Sequence, residues 1–388
     1  MLLTQGCHPS VVLLIGASPN PIKANAIIFF HLHAMTHSDI VQYRLSQQHL
    51  MQPSLTTPGD LVAWFGAVQG QDYAAGKWGL GNRLPGSTDA DIEQAIADRI
   101  ILRTWPMRGT LHWVAAADIR WILELNQPRL QTLYASHFRQ LELSEPVIAK
   151  SKTVFTKALS GGQQLTRPEL KTALEQAGIP AHENRLSMLL ARASYDRLLC
   201  HGIRRGKEFT FTLLDDWVPP TKPRLRDEAL AEWTRRYFTS HGPATLADFS
   251  WWSGLTLTDA RAGMDLIKSG FVSEVVAGQT YWMLASLPAL HEHTTNACLL
   301  PVYDEYLVAY KDRSAPLGGL DPAQIAKAGN GIFSPVIVID GRVVGTWKRT
   351  LKKDAVLIET SLFTTLTDAQ QQALSDAKVR YQRFLGCE

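Results

Sequence analysis

Cysteine is scarce, with four in 388 residues, at positions 7, 200, 298 and 387. None lies near enough to another for a C-x-x-C metal pair, and four are too few for a disulfide framework in a chain this long. Reduced, buried thiols in a cytosolic protein are expected. An excess of one charge is also missing, since 39 Lys and Arg face 36 Asp and Glu for a net charge of +3. So small a surplus does not announce a nucleic-acid binder, although a local basic face can hide within it. No apolar run approaches the roughly 18–20 residues that a membrane span requires. The opening stretch holds only two short runs, 11–15 and 26–30, interrupted by Pro19, Pro21 and Lys23. It lacks the basic start and unbroken apolar core of a signal peptide. Residues 1–35 are expected to be an extension outside the fold, disordered or preceding a true start at Met35.

Several chemistries are absent as well. The chain has no G-x-x-x-x-G-K-S/T phosphate loop, no H-E-x-x-H zinc helix and no G-x-S-x-G nucleophile turn. Gly79, Gly81 and Gly86 lack the strand–turn–helix context of a dinucleotide site. His31, His33 and His37, and separately His291 and His293, read as surface histidines rather than metal ligands. No metal or organic cofactor is expected.

What the chain does contain is ample core material, 45% hydrophobic with 11 Trp, and a recurring order of elements. Thr57-Pro58-Gly59-Asp60, Thr166-Arg167-Pro168-Glu169 and Thr245-Leu246-Ala247-Asp248 are each a T-x-x-D/E helix start. Each follows a helical stretch: 39–50, 147–159 and 226–240. Each precedes another, 89–99, 183–199 and 257–269, and then a hairpin, 102–114, 202–214 and 271–284. Helix, helix, helix, hairpin is the winged-helix order, in which the hairpin forms the wing. The irregular spacing indicates tandem modules rather than a solenoid. The expected organisation is mainly α with β: module 1 over 36–145, module 2 over 146–220 and module 3 over 221–297, with a proline-rich linker at 219–223. Residues 298–388 are strand-rich, with a hairpin turn at Asp340-Gly341 and a closing helix over 367–385, and read as a small β-barrel or curled sheet.

Two segments could carry chemistry. Val68-Gln69-Gly70-Gln71 follows an apolar helix, and Gly70 would normally end one. Two Gln one residue apart share no face of a regular helix, so they converge only where the helix stops. On local pattern alone this is a polar helix end exposed to water. The putting-together of Arg103, Arg108, Thr110 and His112 on the first wing suits phosphate and base-edge contact, with Trp105 and Trp113 in the core. Basic residues also gather at Arg204, Arg205 and Lys207 on the second wing, and at Arg342, Lys348, Arg349, Lys352 and Lys353 near the end. Solvated faces are the default for such clusters. Their place on hairpin turns favours phosphate.

Together, Val68–Gln71, Arg103–His112, Leu300-Pro301-Val302-Tyr303-Asp304-Glu305-Tyr306-Leu307 and Asp340–Trp347 resemble the AlkZ-like (YcaQ-like) DNA glycosylases over about residues 36–385. The resemblance implies three winged-helix modules around a concave DNA-binding surface, with a C-terminal β-barrel. It implies base excision repair, with hydrolysis of the N-glycosidic bond of alkylated bases in duplex DNA. N7-alkylpurines, including bulky or interstrand-crosslinked ones, are the implied substrates. The family's Q-x-Q motif falls on Gln69 and Gln71 as catalytic residues, with Gly70 where the family usually has a larger residue. The expected enzyme is a cofactor-free monomer, cytoplasmic and nucleoid-associated. The competing readings are a winged-helix transcriptional regulator without catalysis, which has no need of Q-x-Q beside a wing, and a non-DNA interaction scaffold.

Overall fold

Short polar side chains set the helix starts, as the cap pattern predicts. Thr36, Thr57, Thr88, Thr245, Thr256 and Thr367 each accept the backbone N–H three residues on. Each satisfies one of the donors that a first helical turn leaves without a partner. The computed structural model describes residues 35–287, 295–326, 333–352 and 355–387. The expected N-terminal extension, with Cys7, His31 and His33, lies outside the described residues, as do His291, His293 and Lys353.

The first group of elements is α1 (His37–Gln47), α2 (Pro58–Phe65), β1 (Val68–Gln69), α3 (Tyr73–Gly81), α4 (Asp89–Ala97), β2 (Ile101–Met107) and β3 (Thr110–Ala115). Its sheet is antiparallel in the order β1-β3-β2. Arg108 and Gly109, with φ of 53° and 74°, form the two-residue turn between β2 and β3, whose hand matches the strand twist. The long helix α5 (Ile119–Gln140) leads to α6 (Glu145–Leu159), β4 (Leu165–Thr166), α7 (Arg167–Gln176), α8 (Glu183–Tyr195), β5 (Leu199–His201) and β6 (Thr210–Leu213), with the sheet order β4-β6-β5. The second hairpin departs from the expected 202–214. Its first strand comes earlier, because buried Leu199 and Cys200 take the core positions. The glycine-containing basic run 202–209 becomes the connection, pinched by a bridge between Arg205 and Glu208.

A third group comprises α9 (Leu214–Trp217), α10 (Arg226–Ser240), α11 (Leu246–Ser253), α12 (Leu257–Ile267), β7 (Phe271–Val276) and β8 (Gln279–Leu284). The last segment has β9 (Ala297–Leu300), α13 (Glu305–Val308), α14 (Ser314–Leu317), β10 (Val336–Ile339), β11 (Arg342–Leu351), β12 (Val356–Leu362) and α15 (Asp368–Phe384). The Asp340-Gly341 turn joins β10 to β11 as read from the sequence. The expected barrel is corrected: among the described residues this sheet is open, in the order β12-β11-β10-β9. Closure would need β9 to pair with β12. Instead α15 packs along β9, Arg380 donates to the Ala297 carbonyl, and Trp78 Nε1 donates to the Leu299 carbonyl at 2.6 Å. Side chains thus occupy the edge that a closing strand would need. The strand-rich reading of 298–310 also holds only at its start, since Asp304 caps α13 by accepting the Tyr306 N–H. No described helix is long and apolar enough to cross a membrane.

Two large cores tie these groups together. One runs from β2 and α5 through α6–α8 to α10, α11 and Tyr310. The other joins the first group to the C-terminal sheet: Leu61, Phe65, Trp78 and Trp113 share it with Leu299, Ile337, Trp347 and Tyr381. Each such side chain contributes roughly 1.5–3 kcal/mol when fully buried. The segment 68–71 therefore lies in a seam where distant parts of the chain are held together.

Candidate active site

Helix α2 ends at Phe65, because Gly66 takes a φ of 82°. A Cβ on Gly66 would come 2.8 Å from the Trp233 ring. The helix thus stops five residues before Gly70, and Val68 and Gln69 run as a strand paired with Trp113 and His112. The ladder continues one step, with Gly70 N–H donating to the Leu111 carbonyl at 2.8 Å. The two glutamines therefore meet where the strand ends, Gln69 being its last residue and Gln71 lying in the bend that follows. Gly70 leaves room for a tryptophan: a Cβ there would sit 3.2 Å from Trp113 Nε1, and one on Gly76 would sit 2.8 Å from the same atom. The buried Trp113 indole fills the space that a larger middle residue would need.

The two amides are held differently. Gln69 is buried at 7% exposure, whereas Gln71 is exposed. Gln69 Oε1 accepts the Gln71 N–H at 3.3 Å, and Gln71 Oε1 accepts the Leu111 N–H at 3.0 Å. Each oxygen keeps a second lone pair. Arg103 braces the turn from below, with Nε donating to the Gly70 carbonyl at 2.8 Å and Nη2 to the Gln71 carbonyl at 3.1 Å. Burial pulls its pKa down to about 10, so it remains a cation at neutral pH.

Behind Gln69 lies Glu305, which the sequence offered only as part of a longer motif. Its Oε1 accepts the Gln69 N–H at 2.6 Å, and its Oε2 accepts Trp252 Nε1–H at 3.0 Å, 3.4 Å from His241 Nε2. Burial pushes this carboxyl up, but hydrogen bonding with His241 and the Gln69 N–H outweighs it and holds it below the usual value. Glu305 is therefore a buried anion. The signal in the sequence was an adjacent acid pair, Asp304-Glu305, inside an apolar run.

Of the wing residues, His112 is fully buried and donates from Nδ1 to the Thr110 carbonyl at 2.9 Å, which leaves Nε2 as an acceptor for Arg108 Nη2 at 3.4 Å. Arg108 reaches the third group, where a Cβ on Gly254 would come 2.9 Å from its Cγ. Thr110, at the end of β3, completes this set. Arg204 crosses from the second group onto Tyr73 and Phe209, 4.7 and 5.2 Å from the ring centres, beside Arg103 at 4.4 Å from Phe209. The structure thus gathers Arg103, Arg108, Thr110, His112 and Arg204 around the two glutamines. Arg205 lies on the second connection, paired with Glu169 at 2.8 Å, and Lys207 is exposed there. On the C-terminal sheet Arg342 donates to the Ala315 carbonyl, Arg349 to the Tyr381 hydroxyl, and Lys348 pairs with Glu359 at 3.2 Å. Among the described residues no group of His, Cys, Asp and Glu is arranged to hold a metal ion.

Burial also pushes His112, His201 and His241 below the ordinary value near 6.5, His112 to about 3. As pH falls below about 6.5 the unfolded chain takes up these protons and the folded one does not, so stability falls with acidification. For a histidine held as low as His112 the slope approaches about 1.4 kcal/mol per pH unit. Thermal midpoints are expected to drop between pH 7 and 5, above the range where carboxylates titrate. A level midpoint across that interval would contradict the buried neutral histidines.

A family model for AlkZ-like DNA glycosylases matches residues 62–384. The chain belongs to this family. It is a DNA glycosylase, and DNA is its substrate. The glycosylase is 27% identical over 328 residues to an interstrand DNA cross-link repair glycosylase of Streptomyces sahachiroi, covering 80% of this chain and 86% of the relative. Its fold is similar to that of the DNA glycosylase AlkZ from the same organism, with a TM-score of 0.74 at 24% identity over 91% of this chain and 98% of the other. The family match disfavours the reading as a regulator without catalysis.

Proposed function

We propose that this glycosylase removes N7-alkylated purines from duplex DNA, bulky and interstrand-crosslinked adducts included, with Gln69 and Gln71 as its catalytic residues. The observation that carries the reading is the meeting of the two residues at the end of β1, Gln69 buried and Gln71 exposed, with the Gln69 amide oxygen on the Gln71 N–H. Alkylation at N7 places positive charge on the base, and cleavage of the glycosidic bond releases that base neutral. A strong acid at the leaving group is then unnecessary. The sugar becomes oxocarbenium-like, as in glycoside hydrolysis. The free lone pairs of the two amide oxygens stabilise that cation and orient the attacking water. An exposed Gln71 suits an open cleft, which admits adducts too large for a tight base-flipping pocket. The similarity to an interstrand DNA cross-link repair glycosylase supports the same substrate class.

In this reading the three helix-and-hairpin groups are tandem winged-helix modules over 36–145, 146–220 and 221–297. They present Arg108, Thr110, Arg204, Arg205 and Lys207 around the DNA path, with the buried Arg103 and His112 supporting the wing from behind. Arg342, Lys348 and Arg349 do so from the segment 298–388. The enzyme acts as a monomer in the cytoplasm, associated with the nucleoid. Release of free base from N7-methylguanine duplex is the decisive assay: a purified protein that binds the duplex and releases nothing would return the regulator to first place. Arg205 supplies a second test. Its side chain is 56% exposed on a connection that reaches outward. Arg205→Ala is expected to weaken binding across sequences and to lower the slope of log affinity against log salt by about 1. An unchanged slope would remove Arg205 from the interface.

A further inference from the structure

The Gln69 backbone has a partner that the reaction chemistry does not require. Glu305 sits at 2% exposure, yet it is ionised, and a buried carboxylate is costly unless its oxygens are occupied. They are occupied by the Gln69 N–H of β1 at 2.6 Å and the Trp252 indole N–H of α11 at 3.0 Å, with His241 Nε2 3.4 Å from the second oxygen. The neighbouring Asp304 fixes this corner again, through a bidentate pair with Arg83 at 2.7 and 2.8 Å. Glu305 therefore cannot shift without moving Gln69, α11 or both. Strand β1 is only two residues long, with a single further ladder bond at Gly70, so pairing with β3 alone holds it weakly. The charge-assisted contact from Glu305 is the short one.

We propose that Glu305 is a positioning residue of the reaction: through the Gln69 N–H it fixes β1 in the register and depth at which the Gln69 amide meets the sugar. The proposal rests on the reading of Gln69 and Gln71 as catalytic. A carboxylate can accept both N–H groups. An amide at this place has one oxygen for two donors, and its NH2 would face the other. Glu305→Gln thus keeps the volume and removes one of the two bonds.

The test is single-turnover release of N7-methylguanine from duplex DNA by the full chain, read as a maximal rate and a half-saturating enzyme concentration. Glu305→Gln is expected to lower the maximal rate about 10–100-fold, the scale of a misplaced catalytic group. Half-saturation should stay as in the parent, because Glu305 touches no DNA. If Glu305 acts through Gln69, the double variant with Gln69→Ala will be no slower than Gln69→Ala alone. A parental rate in Glu305→Gln, or two losses that multiply in the double variant, overturns the proposal. Glu305→Asp retains the charge on a shorter arm and serves if Glu305→Gln does not fold. A lowered maximal rate at unchanged half-saturation is expected of it, and a parental rate again overturns the proposal. A parental rate in Gln69→Ala would instead remove the catalytic reading itself. A slow Gln69→Ala beside a fast Glu305→Gln would remove only the role of Glu305.

Discussion

Gln69→Ala and Gln71→Ala proteins are expected to bind alkylated duplex as the parent does and to release base about 10²–10³-fold more slowly, the loss typical of one preorganised stabilising group. Neither amide carries charge, so neither contributes to the electrostatic capture of DNA, and affinity should survive. The two substitutions should differ in their structural cost. Gln71 is exposed, and its removal frees only the Leu111 N–H in a place water can reach. Gln69 is buried, and its removal strips the Gln71 N–H of its acceptor, at about 0.5–1.5 kcal/mol. Melting curves beside single-turnover rates separate the two effects. Parental rates in both variants would sink the assignment of the pair.

The largest effect on stability is expected at the Arg83–Asp304 pair. Both side chains are 1% exposed. The guanidinium also donates to the Gly79 and Gln48 carbonyls and to Gln48 Oε1, at 2.8, 3.0 and 3.0 Å. Asp304→Ala leaves a buried cation without its anion and should cost about 3–5 kcal/mol in denaturant unfolding. Replacing both members by apolar residues, Arg83→Met with Asp304→Leu, should recover a substantial part, since the desolvation penalty disappears with the charges. A loss below about 1 kcal/mol in Asp304→Ala would show that the pair is solvated and would contradict its burial.

Local features of this fold were legible and nonlocal ones were not. Threonine caps with an acid three residues on, and two-residue turns such as Arg108-Gly109 and Asp340-Gly341, are decided within four residues, so composition reveals them. Two glycines competed to end α2. Gly70 stood next to the motif, but Gly66 ends the helix because Trp233, 167 positions later by number, packs where its Cβ would be. The open C-terminal sheet has the same origin: whether β9 pairs with a strand or with α15 depends on side chains far along the chain. At the site, Gln69 and Gln71 stood out by motif, and how they meet followed only once the end of β1 was seen. Glu305 could not be placed beside Gln69 by any local pattern, because 236 positions separate them.

That separation has a consequence during synthesis. A ribosome that has extruded the first module has already delivered both glutamines, Arg103 and the β2–β3 hairpin. The anion that anchors β1 arrives only when the last quarter of the chain emerges. Until then the partly made protein carries the motif without its anchor, and fragments ending before residue 305 should be DNA binders at most. If Glu305 positions Gln69 as proposed, base excision is expected only of chains that extend past residue 305.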